Sequence, residues 1–239
     1  MPVFEHGATR IHYEIHGDGP PVLLIAPGGM RSAIPLWSNA PWNPIEHLAA
    51  RFRVIAMDQR NAGASTGPVS SDDGWHSYAQ DQLALLDHLK IDTFATLGMC
   101  IGGPYCLGLA HRAPERVRGA VLLQPIGLDD NRAIFYEMFD VWADALRAGP
   151  HADVPESVWT HFRANLFDGP FLFNLSEADA AQIETPTLIL LGNDPYHPET
   201  TSRTLANTLP NASLIEHWKE PEHHAAAKTA IDSFLDSIW

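Results

Sequence analysis

The residues with the clearest chemistry lie in Gly98-Met99-Cys100-Ile101-Gly102-Gly103. A short apolar run, residues 94–97, leads into this segment. A helical run, 105–112, follows it and is closed by Pro114. A strand that turns this sharply into a helix strains the backbone of the residue at its apex. Small residues two before and two after the apex avoid collisions. Gly98 and Gly102 hold those places around Cys100. Such a turn lifts the Cys100 side chain above the sheet and aims a helix N-terminus at it, which favours the thiolate. Pro104 falls in the first helical turn, where its missing N–H costs little. A thiolate so placed is a nucleophile. A buried structural cysteine at a Gly-rich turn is the competing reading. Cys106, six residues on, reads as helix packing.

The elements that must position Cys100 are legible from periodicity. Short apolar runs rich in β-branched residues recur at 22–26, 54–57, 94–97, 120–123, 188–191 and 214–215. Each is bounded by Gly, Pro, Asn or Asp, the pattern of strands buried on both faces. Amphipathic helical patterns lie between them, at 78–89 and 200–209, with a last one at 223–238. Residues 3–5 and 10–16 read as an antiparallel hairpin. A hairpin followed by repeated β-α units predicts an α/β fold, a mostly parallel sheet with helices on both faces. Ligands then bind beyond the carboxyl ends of the strands.

The strand, G-x-C-x-G turn and helix around Cys100 resemble the nucleophile elbow of the α/β-hydrolase superfamily, with cysteine where serine is usual. Dienelactone hydrolases form a cysteine branch with the same nucleophile type. Asp58-Gln59-Arg60-Asn61-Ala62-Gly63-Ala64-Ser65 is similar to the superfamily's D-x-R-G-x-G-x-S loop and reads as structural. Its Asn61 replaces a glycine and tolerates the left-handed conformation.

The resemblance covers nearly the whole chain. It implies an eight-stranded α/β-hydrolase core of residues 1–126 and 186–239, with a short helical cap, 127–185, after strand 6. It also implies an acid and then a histidine in chain order. Asp194, after the 188–191 strand, takes the acid's place, with Asp129 or Asp130 as runner-up. His223, just before the final helix, takes the base's place, with His224 as the alternative. The implied oxyanion donors are the N–H groups of Ile101 and Gly29, with Met30 as the alternative; Pro27-Gly28 stands where His-Gly is usual. The cap is rich in aromatics, which either line a pocket or glue helices together. Met30, Trp37, Gln124, Phe139 and Trp142 are the candidate substrate contacts.

Composition bounds the partners. The chain has 239 residues, 45% hydrophobic and 18% charged, enough for one core plus a lid. Its 15 basic and 29 acidic residues give a net charge of −14, which argues against nucleic acid and anionic membranes. Two cysteines are too few for a disulfide scaffold. The N-terminus lacks a signal-peptide pattern and no apolar run is long enough to span a bilayer, so a cytoplasmic location is expected. No histidine group has zinc or iron spacing, and neither metal nor cofactor is expected. The expected partner is a small-molecule acyl substrate. A homodimer is allowed for, although nothing in the sequence sets oligomeric state. The expected chemistry is hydrolysis of a small ester, lactone or thioester through a thioester acyl-enzyme. An acyltransferase using the same intermediate is the alternative, as is a ligand-binding protein on the same scaffold.

Overall fold

The computed structural model describes residues 2–239. Its strands are β1 (Val3–His6), β2 (Thr9–His16), β3 (Pro21–Ile25), β4 (Arg53–Met57), β5 (Phe94–Met99), β6 (Val117–Leu123), β7 (Thr187–Leu190) and β8 (Ala212–Ile215). They form one sheet in the order β1-β2-β4-β3-β5-β6-β7-β8. β2 pairs antiparallel with β1 and β4, and every other pairing is parallel. The helices are α1 (Pro44–Leu48), α2 (Trp75–His88), α3 (Gly102–Arg112), α4 (Arg132–Arg147), α5 (Glu156–Phe167), α6 (Glu177–Ala180), α7 (Glu199–Thr208) and α8 (His224–Ser237). Among the described residues no helix is long and apolar enough to cross a membrane.

The central strands read as continuous apolar runs because alternate residues feed two cores. In β3, Val22 and Leu24 join the core beneath α1 and α8, whereas Leu23 and Ile25 join the core beneath α2, α3 and α7. β4 divides Val54 and Ala56 from Ile55 and Met57 in the same way. Leu23 and Leu24 have no exposed surface. Truncating either to alanine costs about 2–5 kcal/mol.

Most boundaries differ from the periodic reading by one to three residues, two of them for reasons that bear on the site and its support. β6 starts at Val117 because Arg118, which faces solvent, and Gly119 interrupt its apolar run. Gly119 is small for a reason: a Cβ there would stand 2.6 Å from Cδ1 of Ile238, the residue that caps α8. α3 starts at Gly102 because its first turn is part of the elbow itself.

Between β6 and β7 the chain inserts α4, α5 and α6. Phe139 and Trp142 of α4 pack edge-to-face on Phe162 of α5, at 5.4 and 5.8 Å between ring centres. Both are buried, and Trp142 Nε1 donates to the Asn61 carbonyl at 3.0 Å. These two rings hold the inserted helices together and onto the D-x-R loop. That loop is structural: Asp58 accepts from the N–H groups of Ile34 and Ala64, both at 2.8 Å, and Asn61 has φ 59°.

Candidate active site

Cys100 sits at the carboxyl end of β5 with φ 62°, a left-handed conformation that costs a non-glycine residue about 1–3 kcal/mol. The neighbouring glycines explain how the turn closes. A Cβ on Gly98 would lie 2.3 Å from the Gly102 carbonyl oxygen, and one on Gly102 would lie 2.5 Å from that of Ile25. Backbone hydrogen bonds pin the apex: Cys100 N–H donates to Leu123 O at 3.0 Å, and Gly103 N–H donates to Cys100 O at 3.1 Å. The thiol is half-buried over the N-terminus of α3.

The loop after β7 reads Gly192-Asn193-Asp194-Pro195-Tyr196-His197-Pro198. It closes on itself as an Asx turn does. Asp194 Oδ1 accepts from the N–H groups of Tyr196 and His197 at 3.0 and 3.1 Å. The two backbones exchange a further pair of hydrogen bonds, His197 N–H to Asp194 O at 3.0 Å and Asp194 N–H to His197 O at 3.2 Å. The carboxylate therefore meets the imidazole side on, with Nδ1 at 2.7 Å from Oδ1 and 2.8 Å from Oδ2. The other ring nitrogen, Nε2, is buried with no hydrogen-bond partner of full geometry. The Cys100 thiol is the titratable group beside it.

The electrostatics of the three groups are mutually consistent. Burial alone would push the Cys100 thiol up, but His197 and the N–H groups of Gly28 and Ile101 outweigh it and hold the thiol below its ordinary value. Burial alone would lower His197; the adjacent thiolate and Asp194 raise it instead. Asp194 is desolvated in part, yet His197 and the two backbone N–H groups hold it below the usual carboxylate range. The arrangement favours a thiolate–imidazolium pair braced by a carboxylate. Cys106 is the contrast. Buried under the elbow, its thiol is pushed up to about 12.

Several expected positions are occupied differently. His197, not His223 or His224, faces the thiol. His223 closes a short turn after β8 and lies against the His217 ring, 5.5 Å between centres. His224 Nε2 bonds the Lys219 carbonyl at 2.8 Å, and its ring packs on Trp42. Neither is bonded to Asp194; the groups from the β8 side that meet its loop are Trp218 and Lys219. Trp218 is buried and donates to Leu191 O at 2.8 Å; Lys219 Nζ lies 2.5 Å from Asn193 Oδ1 and 3.8 Å from Asp194 Oδ2. The runner-up acids stand apart, with Asp129 accepting from the Thr200 hydroxyl and Asp130 exposed. The backbone N–H groups beside the thiol are those of Ile101 and Gly28, while Gly29, the other expected donor, lines the cavity over it. Met30 N–H is taken by Met138 Sδ at 3.4 Å.

A cavity of about 210 Å³ opens on the thiol, lined by Gly28, Gly29, Cys100, Ile101, Ile126, Phe135, Met138, Tyr196 and His197. None of Met30, Trp37, Gln124, Phe139 and Trp142 lines it. Trp37 belongs to the core on the other side of the sheet, and Gln124 follows β6 directly with its N–H on Leu190 O. Phe139 and Trp142 are the packing rings described above. The sequence reasoning missed His197, Phe135 and Met138. The available signal for His197 was Asp-Pro-Tyr-His-Pro, an acid and an imidazole three apart on a loop stiffened by two prolines. Among the described residues no group of three His, Cys, Asp or Glu could hold a metal ion.

A sheet in this strand order, with a strained, glycine-flanked strand-to-helix turn after β5, defines the α/β-hydrolase fold. The family model for the alpha/beta hydrolase fold matches residues 21–165, and the chain belongs to that family. A protein from Azorhizobium caulinodans that bears the name carbamate hydrolase RutD is 36% identical over 126 residues. That match spans 52% of this chain and less than half, 44%, of the relative's own length. The 2-hydroxymuconate semialdehyde hydrolase of Pseudomonas sp. strain CF600 is 27% identical across 95% of this chain and 92% of its own length. The crystal structure of the enol-lactonase from Burkholderia xenovorans LB400 shares the fold with a TM-score of 0.73. Its identity is 22%, covering 98% of this chain and all of that one.

Proposed function

We propose that this chain is a cysteine hydrolase that cleaves a small carboxylic ester, lactone or thioester with Cys100 as nucleophile, His197 as acid–base and Asp194 as its orienting carboxylate. One observation carries the reading: an imidazole with Nδ1 held by a carboxylate and Nε2 buried, unpartnered and beside a thiol that two backbone N–H groups also face. Named hydrolases among the relatives, one of them an enol-lactonase, support the reaction class.

The steps follow from the atoms present. The Cys100 thiolate adds to the substrate carbonyl carbon, and the Gly28 and Ile101 N–H groups that faced the sulfur receive the new oxyanion. His197 Nε2–H gives its proton to the departing oxygen or sulfur as the C–O or C–S bond breaks, leaving a thioester on Cys100. Neutral His197 then takes a proton from water, whose oxygen attacks the thioester. The acid departs, and the thiolate–imidazolium pair is restored. Asp194 keeps the ring in the tautomer with Nε2 toward the sulfur. Both cysteines are free, which suits a reducing compartment, and a cytoplasmic location belongs to this proposal.

Intact-mass spectrometry during turnover of aryl esters, lactones and thioesters tests it. A thioester adduct on Cys100 that is absent from Cys100→Ala, together with loss of hydrolysis in that variant, is the expected result. Undiminished hydrolysis by Cys100→Ala overturns the proposal.

A further inference from the structure

We propose that the cavity over Cys100 accepts the acyl part of its substrate as a short, uncharged chain of about six carbons or fewer, and that Met138 sets that limit. The inference rests on the cysteine-hydrolase reading above. It deepens that reading by fixing the substrate class.

The direction of binding follows from the proton path. His197 Nε2 must reach the leaving group, so the leaving group exits on the His197 side. Tyr196 stands there, 41% exposed, at the rim. The acyl part is left with the apolar wall of Ile126, Phe135 and Met138: Ile126 and Phe135 are each 1% exposed, the Phe135 ring meets Tyr196 edge-on at 5.6 Å, and Met138 closes the space from α4. Met138 is fixed at this spot: its Sδ accepts from Met30 N–H at 3.4 Å, and a Cβ on Gly29 would lie 2.4 Å from it. The thioether thus lies over the backbone that flanks the thiol.

Size and charge then select the ligand. At the roughly 30 Å³ that a water-sized group occupies in a liquid, the cavity of about 210 Å³ holds about seven non-hydrogen atoms. A carbonyl group and five further carbons, an acyl group of six carbons in all, fill it. Among the described residues no lysine or arginine lines the cavity, so an acyl chain ending in a carboxylate would be buried without a partner. The net charge of −14 opposes such a substrate before it binds.

The test is kcat/KM for p-nitrophenyl acetate, butyrate, hexanoate and decanoate and for the hydrogen succinate ester, with Cys100 acylation followed by mass. The wild-type rate should fall at least about tenfold from hexanoate to decanoate. The hydrogen succinate should run at least about 100-fold below butyrate, and 0.5 M salt should leave most of that gap, because a buried site is screened little. Met138→Ala removes three side-chain atoms and should move the chain-length limit out by about two or three carbons. Met138→Leu keeps the volume and should keep the limit. If Cys100 is acylated by decanoate as fast as by butyrate, or if Met138→Ala leaves the limit where it was, this inference falls while the hydrolase reading stands. If no ester acylates Cys100 and Cys100→Ala is fully active, both fall.

Discussion

The loop after β7 places Asp194 and His197 three residues apart and joins their side chains at 2.7 and 2.8 Å. The loop after β8, its neighbour at the edge of the sheet, carries His217, His223 and His224. Among the described residues none of these has a hydrogen bond or ion pair to Cys100 or Asp194. The difference teaches that the number of histidines near a strand end says little about which one works. A buried ring with one nitrogen committed to a carboxylate can act as a base, whereas His224 is committed to a backbone carbonyl and the Trp42 ring, and His223 lies against His217. The β8 loop still contributes a cation. Lys219 reaches Asn193 and lies near Asp194, and burial holds its ammonium below the ordinary value while Asp194 and Glu220 oppose that shift.

The contrast can be broken most directly by exchanging the roles under test. His197→Ala should lower kcat/KM for a short ester by about 10³-fold, within the range that a general acid–base supplies. His223→Ala and His224→Ala should each stay within about twofold of wild type. A large loss in either would return the base to the β8 loop. Asp194→Asn should cost at least about 100-fold, since it removes both the charge that favours the imidazolium and the acceptor that fixes the ring tautomer; steady-state kinetics at fixed pH reads this.

pH sharpens the comparison further. Activity should rise as pH climbs through the lowered Cys100 value and fall as pH passes the raised His197 value, the thiolate–imidazolium form lying between them. Iodoacetamide should alkylate Cys100 well below the pH at which an ordinary thiol reacts. In His197→Ala that midpoint should move up. Cys106, with its thiol near 12, should stay unmodified in the folded protein.

The smallest effect is expected at Lys219. Lys219→Met removes a positive charge beside Asp194, so the carboxylate holds the imidazolium more tightly and the alkaline limb should move to higher pH. The change in kcat/KM near neutrality should be about two- to fivefold, and an unmoved limb would remove Lys219 from the site.

Most of the fold was legible because buried strands announce themselves twice, by apolar runs and by the Gly, Pro and Asx residues that end them. Cys100 was legible for a related reason: two glycines at fixed offsets are needed only where a backbone passes another at collision distance. Asp194 followed from its place after the 188–191 strand. His197 did not, because chain order sets the base after the last strand and only tertiary placement shows which imidazole the Asp194 carboxylate meets. The pocket wall was misread for a different reason. Phe135, Met138, Phe139 and Trp142 share one apolar stripe of α4. Which end of the stripe overhangs the thiol is set by how α4 lies on the Gly29–Arg31 turn, and helical period does not encode that.

The spacing of Asp194 and His197 also bears on how the site assembles. A base at His223 would have to be brought to Asp194 across 29 residues, including α7 and β8; His197 is brought across three. With closure entropy growing as about (3/2)RT ln n, the shorter span saves about 2 kcal/mol of ordering. The Asp194–His197 pair is a local contact that forms with its own turn, so α8 can fray or shift without moving the imidazole relative to its carboxylate.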